Sequence, residues 1–142
     1  MATQAIAAFG TLLKVGDGAT PENFTTILHV QDITCPPLKS NTEDATAHDS
    51  PGGWVENKPT LLDGGEVKFG ILYVPGAATH NATTGLIADL TARTLRNFQL
   101  VYPSAATWSF AGYVTDFAAK AGVKDLLKSD VTIQISGVPT LA

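Results

Sequence analysis

The chain has 142 residues, with nine Lys and Arg against 13 Asp and Glu, 44% hydrophobic residues and 15% charged ones. That length fits one domain burying roughly 68–70% of its unfolded surface. A single cysteine, Cys35, excludes an internal disulfide framework. The opening MATQAIAAFGTLL has no basic flank and is interrupted by Thr3, Gln4, Gly10 and Thr11, so it reads neither as a signal peptide nor as a membrane span. The charged fraction lies below the usual level of about 25%, which suggests surface reserved for neighbouring molecules.

The charge is local. Between Lys39 and Glu66 stand two bases (Lys39, Lys58) and six acids (Glu43, Asp44, Asp49, Glu56, Asp63, Glu66), and this stretch carries the whole formal net charge of −4. No cluster of Lys and Arg of the kind that grips phosphates is present.

In chain order, Gly10 to Val15 is a short apolar run closed by the turn Gly16-Asp17-Gly18. Phe24 to Ile33 is rich in β-branched residues and predicts one strand, ended by Pro36-Pro37. The acidic stretch from about 38 to 64, with Pro51-Gly52-Gly53, Pro59 and Gly64-Gly65, predicts a long loop or hairpin, too long for a featureless connection. Glu66 to Val74 alternates Val67, Phe69, Ile71 and Tyr73 against Glu66, Lys68 and Gly70, the pattern of a half-buried strand.

The spacing of Ile87, Leu90, Leu95 and Phe98 predicts a helix over about 84–97, capped by Thr83 or Thr84, with Arg93 and Arg96 near its C-terminus. Strands are predicted at Phe98 to Tyr102, Thr107 to Phe117 and Val131 to Val138. The fold class is therefore α+β and mainly antiparallel β: a β-sandwich or partial barrel with one flanking helix.

Catalytic signals fail on geometry. His48-Asp49-Ser50 holds three triad residue types, but consecutive side chains splay apart instead of converging. Cys35, His29, His48 and His80 lack metal-ligand spacing, and Cys35 reads as a small buried or half-buried residue at a strand end. Gly16-Asp17-Gly18 lacks the third glycine and following helix of a dinucleotide loop. Glu43-Asp44 reads as a solvated acidic pair. No catalytic, cofactor-binding or metal-ligating residue is predicted. Trp54, set among turn formers and charges, either caps the core or anchors a protein contact.

The run AATWSFAGYVTDFAAKAGVKDLLKSDVTIQISGVPTL resembles the end of siphophage (lambda-like) major tail tube proteins, with a T-x-x-F-x-G-Y-V-T-x-F strand leading to one ending in S-G-x-P-T-L. Upstream, VKFGILYVPGAAT and GLIADLTARTLRNFQLVYP are similar to the family's central strand, helix and following strand. The resemblance implies a single tail-tube domain over 1–142, without a C-terminal accessory domain, in a fold related to the type VI secretion tube protein. It implies hexameric rings stacked into a hollow virion tail, made in the bacterial cytoplasm. Expected partners are further copies of itself and the tape measure, tail terminator and distal tail proteins. DNA is expected to pass without specific binding, and no membrane is involved.

By the same resemblance the stretch from Leu38 to Gly64 is the contact loop between rings and subunits, with Lys39, Glu43, Asp44, His48, Asp49, Trp54, Glu56 and Lys58 as contact residues. A DNA conduit favours neutral or acidic polar walls, since each Lys–phosphate contact adds drag. Lumen candidates are accordingly the polar strand faces at Glu66, Lys68, Thr132, Gln134 and Ser136. Loop acids are expected to pair across rings with Lys14, Lys68, Arg93, Arg96, Lys120, Lys124 or Lys128. The alternative is a monomeric β-sandwich binding module, a capsid decoration or adhesion domain, using the acidic Trp54 loop.

Overall fold

The computed structural model describes residues 3–142. Its elements are β1 (Leu12–Gly16), β2 (Phe24–Thr26), β3 (Val30–Ile33), β4 (Lys39–Asp44), β5 (Asn57–Asp63) and β6 (Glu66–Leu72). They continue with α1 (Leu86–Ala92), β7 (Arg96–Val101), β8 (Thr107–Lys120), β9 (Lys128–Ile135) and β10 (Thr140–Leu141), and a 3-10 turn spans Pro51–Gly53. The main sheet runs β2-β1-β7-β8-β9-β6-β3, with β10 also on β8, and β4 and β5 form a separate two-stranded sheet. Every pairing is antiparallel. The path ends at β2 and β3, which do not pair with each other, so the barrel stays open.

The 14-residue β8 joins two layers. Its first half pairs with β7 from Thr107↔Val101 to Gly112↔Arg96, and its second half pairs with β9 from Gly112↔Ile135 to Lys120↔Lys128, with a bulge between Val114 and Asp116. Gly112 is the corner, because a Cβ there would lie 2.6 Å from Gln134 O and 2.8 Å from Ile133 Cγ2. Bulges and glycines let a strand turn from one layer to the next.

One core lies between the layers. Leu13, Phe98, Leu100 and Phe110 from the first meet Val67, Phe69, Ile71, Val131, Ile133 and Ile135 from the second, with Ile27 and Leu86 closing it. Burying side chains of this size contributes about 1.5–3 kcal/mol each. Phe98 and Phe110 stack at 5.7 Å.

Several boundaries differ from expectation for local physical reasons. The run from Phe24 to Ile33 is two strands: β2 joins β1 and β3 joins β6, with buried Ile27 and left-handed His29 (φ 55°) at the crossing. The helix ends at Ala92 instead of reaching 97, because Arg93 adopts φ 55° and the next residues enter β7. Its approach is capped by neither Thr83 nor Thr84. Asn81 Oδ1 instead accepts the N–H groups of Thr83, Thr84 and Gly85 at 2.7–3.1 Å. The last strand stops at Ile135, since Gly137 turns the chain (φ 92°) and returns it as β10 onto β8. Cys35 is exposed, not buried; it follows the end of β3, and the neighbouring Pro36 is the buried residue.

Candidate assembly surface

The acidic stretch is a hairpin. Lys39↔Asp63, Ser40↔Leu62, Thr42↔Pro59, Glu43↔Lys58 and Asp44↔Asn57 set its register, with an irregularity between Ser40 and Thr42. Every residue of both strands is exposed, including Leu61 (74%) and Leu62 (84%). A two-stranded hairpin is marginal alone in water, and this one is held by a compact tip. Ala45 N–H donates to Glu56 O at 2.8 Å, Glu56 N–H to Thr46 Oγ1 at 2.8 Å, and the Ser50 hydroxyl to Glu56 Oε2 at 2.9 Å. The Thr46 hydroxyl and N–H hold the Asp44 carboxyl below the usual carboxylate range.

These bonds place the predicted contact residues. Lys39, Glu43, Asp44 and Lys58 lie on the strands, and His48, Asp49, Trp54 and Glu56 lie at the tip. Trp54 is 77% exposed, with its ring over Gly52, so it does not cap the core. His48 and Asp49 are exposed, and the Ser50 hydroxyl faces Glu56 rather than either of them. At the base, Leu38, Leu62, Gly64, Val138 and Pro139 line an apolar hollow of about 540 Å³. Gly65 (φ 73°) makes the turn into β6, where a Cβ would lie 2.7 Å from Pro37.

The lumen candidates divide. Glu66↔Gln134 and Lys68↔Thr132 are cross-strand pairs on the polar face of β6 and β9, continued onto β8 by Tyr113 and Asp116. Ser136 lies past the end of β9, with its N–H on Ala111 O, outside these rows. On this face Lys68 Nζ is 3.9 Å from Glu66 and Lys120 Nζ is 3.8 Å from Asp130.

Of the seven bases considered as partners for the loop acids, Arg96 is engaged within the subunit, its Nε donating to Asp89 Oδ1 at 2.9 Å. Sequence reasoning missed this buried pair and also the role of His80, fully buried between two backbone groups. It missed the chain in which Trp108 Nε1 donates to the Tyr102 hydroxyl, which donates to Cys35 Sγ. Burial, with the bond to Cys35, raises the Tyr102 phenol above its ordinary value. No periodicity signals such pairings, because they join residues distant in sequence. Among the described residues no helix is long and apolar enough to cross a membrane.

The family model described as lambda phage tail tube protein, TTP, matches residues 10–142. No curated protein matches the chain. A chain of the native gene transfer agent (GTA) virion superposes with a TM-score of 0.77 at 15% identity, covering 97% of this chain and 99% of that one. A chain from the tail of the empty GTA particle, determined with C6 symmetry, gives 0.76 at 16% identity and the same coverage. The SPP1 tail tube gives 0.64 at 14% identity, covering 92% of this chain and 74% of that one. At these identities the likenesses establish a shared fold. The family match spans nearly the whole chain: it belongs to the lambda phage tail tube protein family and is a structural component of the virion tail, not an enzyme.

Proposed function

We propose that the protein forms hexameric rings that stack into the hollow tube of a non-contractile tail, the conduit for DNA ejection. The observation that carries this reading is the β4–β5 hairpin, which exposes Trp54, Val55, Leu61 and Leu62 at 69% or more and packs on no other element strongly. Exposed apolar surface rimmed by charge marks a protein interface. The C6 symmetry of the GTA tail supports six copies per ring. The hairpin residues Lys39, Glu43, Asp44, His48, Asp49, Trp54, Glu56 and Lys58 make the contacts between rings and subunits.

The polar face carrying Glu66, Lys68, Thr132 and Gln134 looks into the lumen, with Ser136 at its margin. Lys68 on this face has the Glu66 carboxylate 3.9 Å away, so its charge is partly answered before a phosphate arrives. DNA then passes without being held. The tape measure protein occupies the lumen before ejection, and terminator and distal tail proteins close the two ends. Replacing Thr42 to Glu56 by a short Gly/Ser linker tests the hairpin. The β-rich circular dichroism spectrum is expected to persist while tube growth stops, and normal tubes from this variant would refute the stacking role.

A further inference from the structure

Two charged extremities of the chain lie at opposite ends of β9. The hairpin joins the body at Gly64–Gly65, where Gly65 O accepts from Ile135 N–H at 3.0 Å and Gln134 Nε2 at 3.1 Å. The β8–β9 turn, residues 121–127, closes the other end of the same eight-residue strand, about 24 Å away at 3.4 Å per residue.

That turn is built against itself. Lys120, Lys124 and Lys128 crowd it with Asp125 as the one acid between them. Lys120 and Lys128 are direct cross-strand partners, a like-charge placement that destabilises an isolated sheet. Asp130 at 3.8 Å from Lys120 is a weak, exposed counterion. Lys120 and Lys128, with Asp125 and Asp130 and the apolar Ala118 and Leu126, line a hollow of about 190 Å³. Ser129 is 2% exposed, and among the described residues its Oγ is the buried side-chain atom left without a hydrogen-bond partner. Val123 is fully exposed and Leu126 largely so.

Ser129 points to the core side of β9, away from the lysines; a carboxylate flanked by apolar surface answers the lysine pair and covers Val123 and Leu126, and the hairpin tip has that chemistry. The hairpin holds five acids against two bases. Of its other acids, Asp44 and Asp63 bond local N–H groups and Glu56 takes the Ser50 hydroxyl, while Glu43 stands across from Lys58 on the strands, away from the tip. Asp49 makes no hydrogen bond or ion pair to the described residues, and it lies near exposed Trp54 and Val55.

We infer that the hairpin tip of one copy docks head to tail on the β8–β9 turn of a second copy, with Asp49 among Lys120, Lys124 and Lys128, and Trp54 and Val55 against Val123 and Leu126. The inference rests on the assembly reading above and adds the surface that receives the hairpin. Donor and receptor are different patches, and the hairpin is attached at the end of β9 opposite the turn, so the contact is heterologous and can repeat from copy to copy as a growing stack requires.

Isotopically labelled and unlabelled protein, mixed, assembled and treated with a zero-length carbodiimide, gives a direct test by mass spectrometry. Mixed-label peptide pairs joining Asp49 or Glu56 to Lys120, Lys124 or Lys128 are expected. Rings or stacks visible by microscopy whose mixed-label links from the hairpin reach other lysines alone overturn this inference and leave the assembly reading standing. Absence of any ring or tube overturns both. Independently, Lys124→Glu alters an exposed side chain and is expected to raise the concentration needed for assembly at least tenfold, with Asp49→Lys doing the same and the double variant restoring growth. Unimpaired growth of Lys124→Glu, or no recovery in the double variant, contradicts the contact.

Discussion

His80 donates its Nε2–H to the carbonyl of Leu28 at 2.7 Å, while its Nδ1 accepts the N–H of Val74 at 3.1 Å. The second bond fixes the neutral tautomer, since a protonated Nδ1 would face another donor. One buried imidazole thereby ties the crossing between β2 and β3 to the end of β6.

Burial, helped by the neighbouring His29, lowers the His80 pKa below its ordinary value, against the raising effect of its backbone bonds. Tyr73 lies 6.1 Å away, ring to ring. Because the folded pKa lies below the unfolded one, this contribution to stability is complete above about pH 6.5 and is lost as pH falls toward the folded value. Thermal melts from pH 7.5 to 5 are expected to show a declining Tm whose slope is smaller in His80→Ala. That variant is also expected to lose about 2–3 kcal/mol at neutral pH through backbone groups left unpaired. An unchanged pH slope contradicts this assignment.

Arg96 and Asp89 join β7 to α1 by a 2.9 Å bond, and Asp89 is 5% exposed. Arg96→Ala leaves a carboxylate buried without its partner and is expected to cost about 3 kcal/mol in denaturant unfolding. Arg96→Met combined with Asp89→Leu removes both charges and is expected to recover most of that loss. A single-variant cost near zero would show that water already solvates Asp89.

Trp54→Ala separates a contact residue from a core residue. At 77% exposure its removal is expected to change unfolding stability by less than about 0.5 kcal/mol while weakening assembly by more than about 1 kcal/mol per contact. A lowered Tm with unaltered assembly would return the tryptophan to a folding role.

The sequence carried the fold class well, because Glu66 to Val74 and Val131 to Ile135 alternate cleanly and the structure buries Val67, Phe69, Ile71, Val131 and Ile133. Boundaries were less legible where one apolar run serves two layers. Nothing in the pattern FTTILHVQDI marks His29 as left-handed or Ile27 as a plug between layers. The helix was overextended because Leu95 and Phe98 continue a helical spacing, whereas Leu95 is half exposed ahead of β7 and Phe98 is buried across the sheet. The hairpin was legible through its charge, but the pairing of Lys120 with Lys128 was not, since that register is set by the length and conformation of the turn over 121–127, which no periodicity marks.

The most direct test of the central claim is electron microscopy of the purified full-length chain across a concentration series. Six-fold rings and stacked tubes that lengthen with concentration are the predicted result. Strictly monomeric particles at every concentration, even with tail initiation proteins added, would contradict the account.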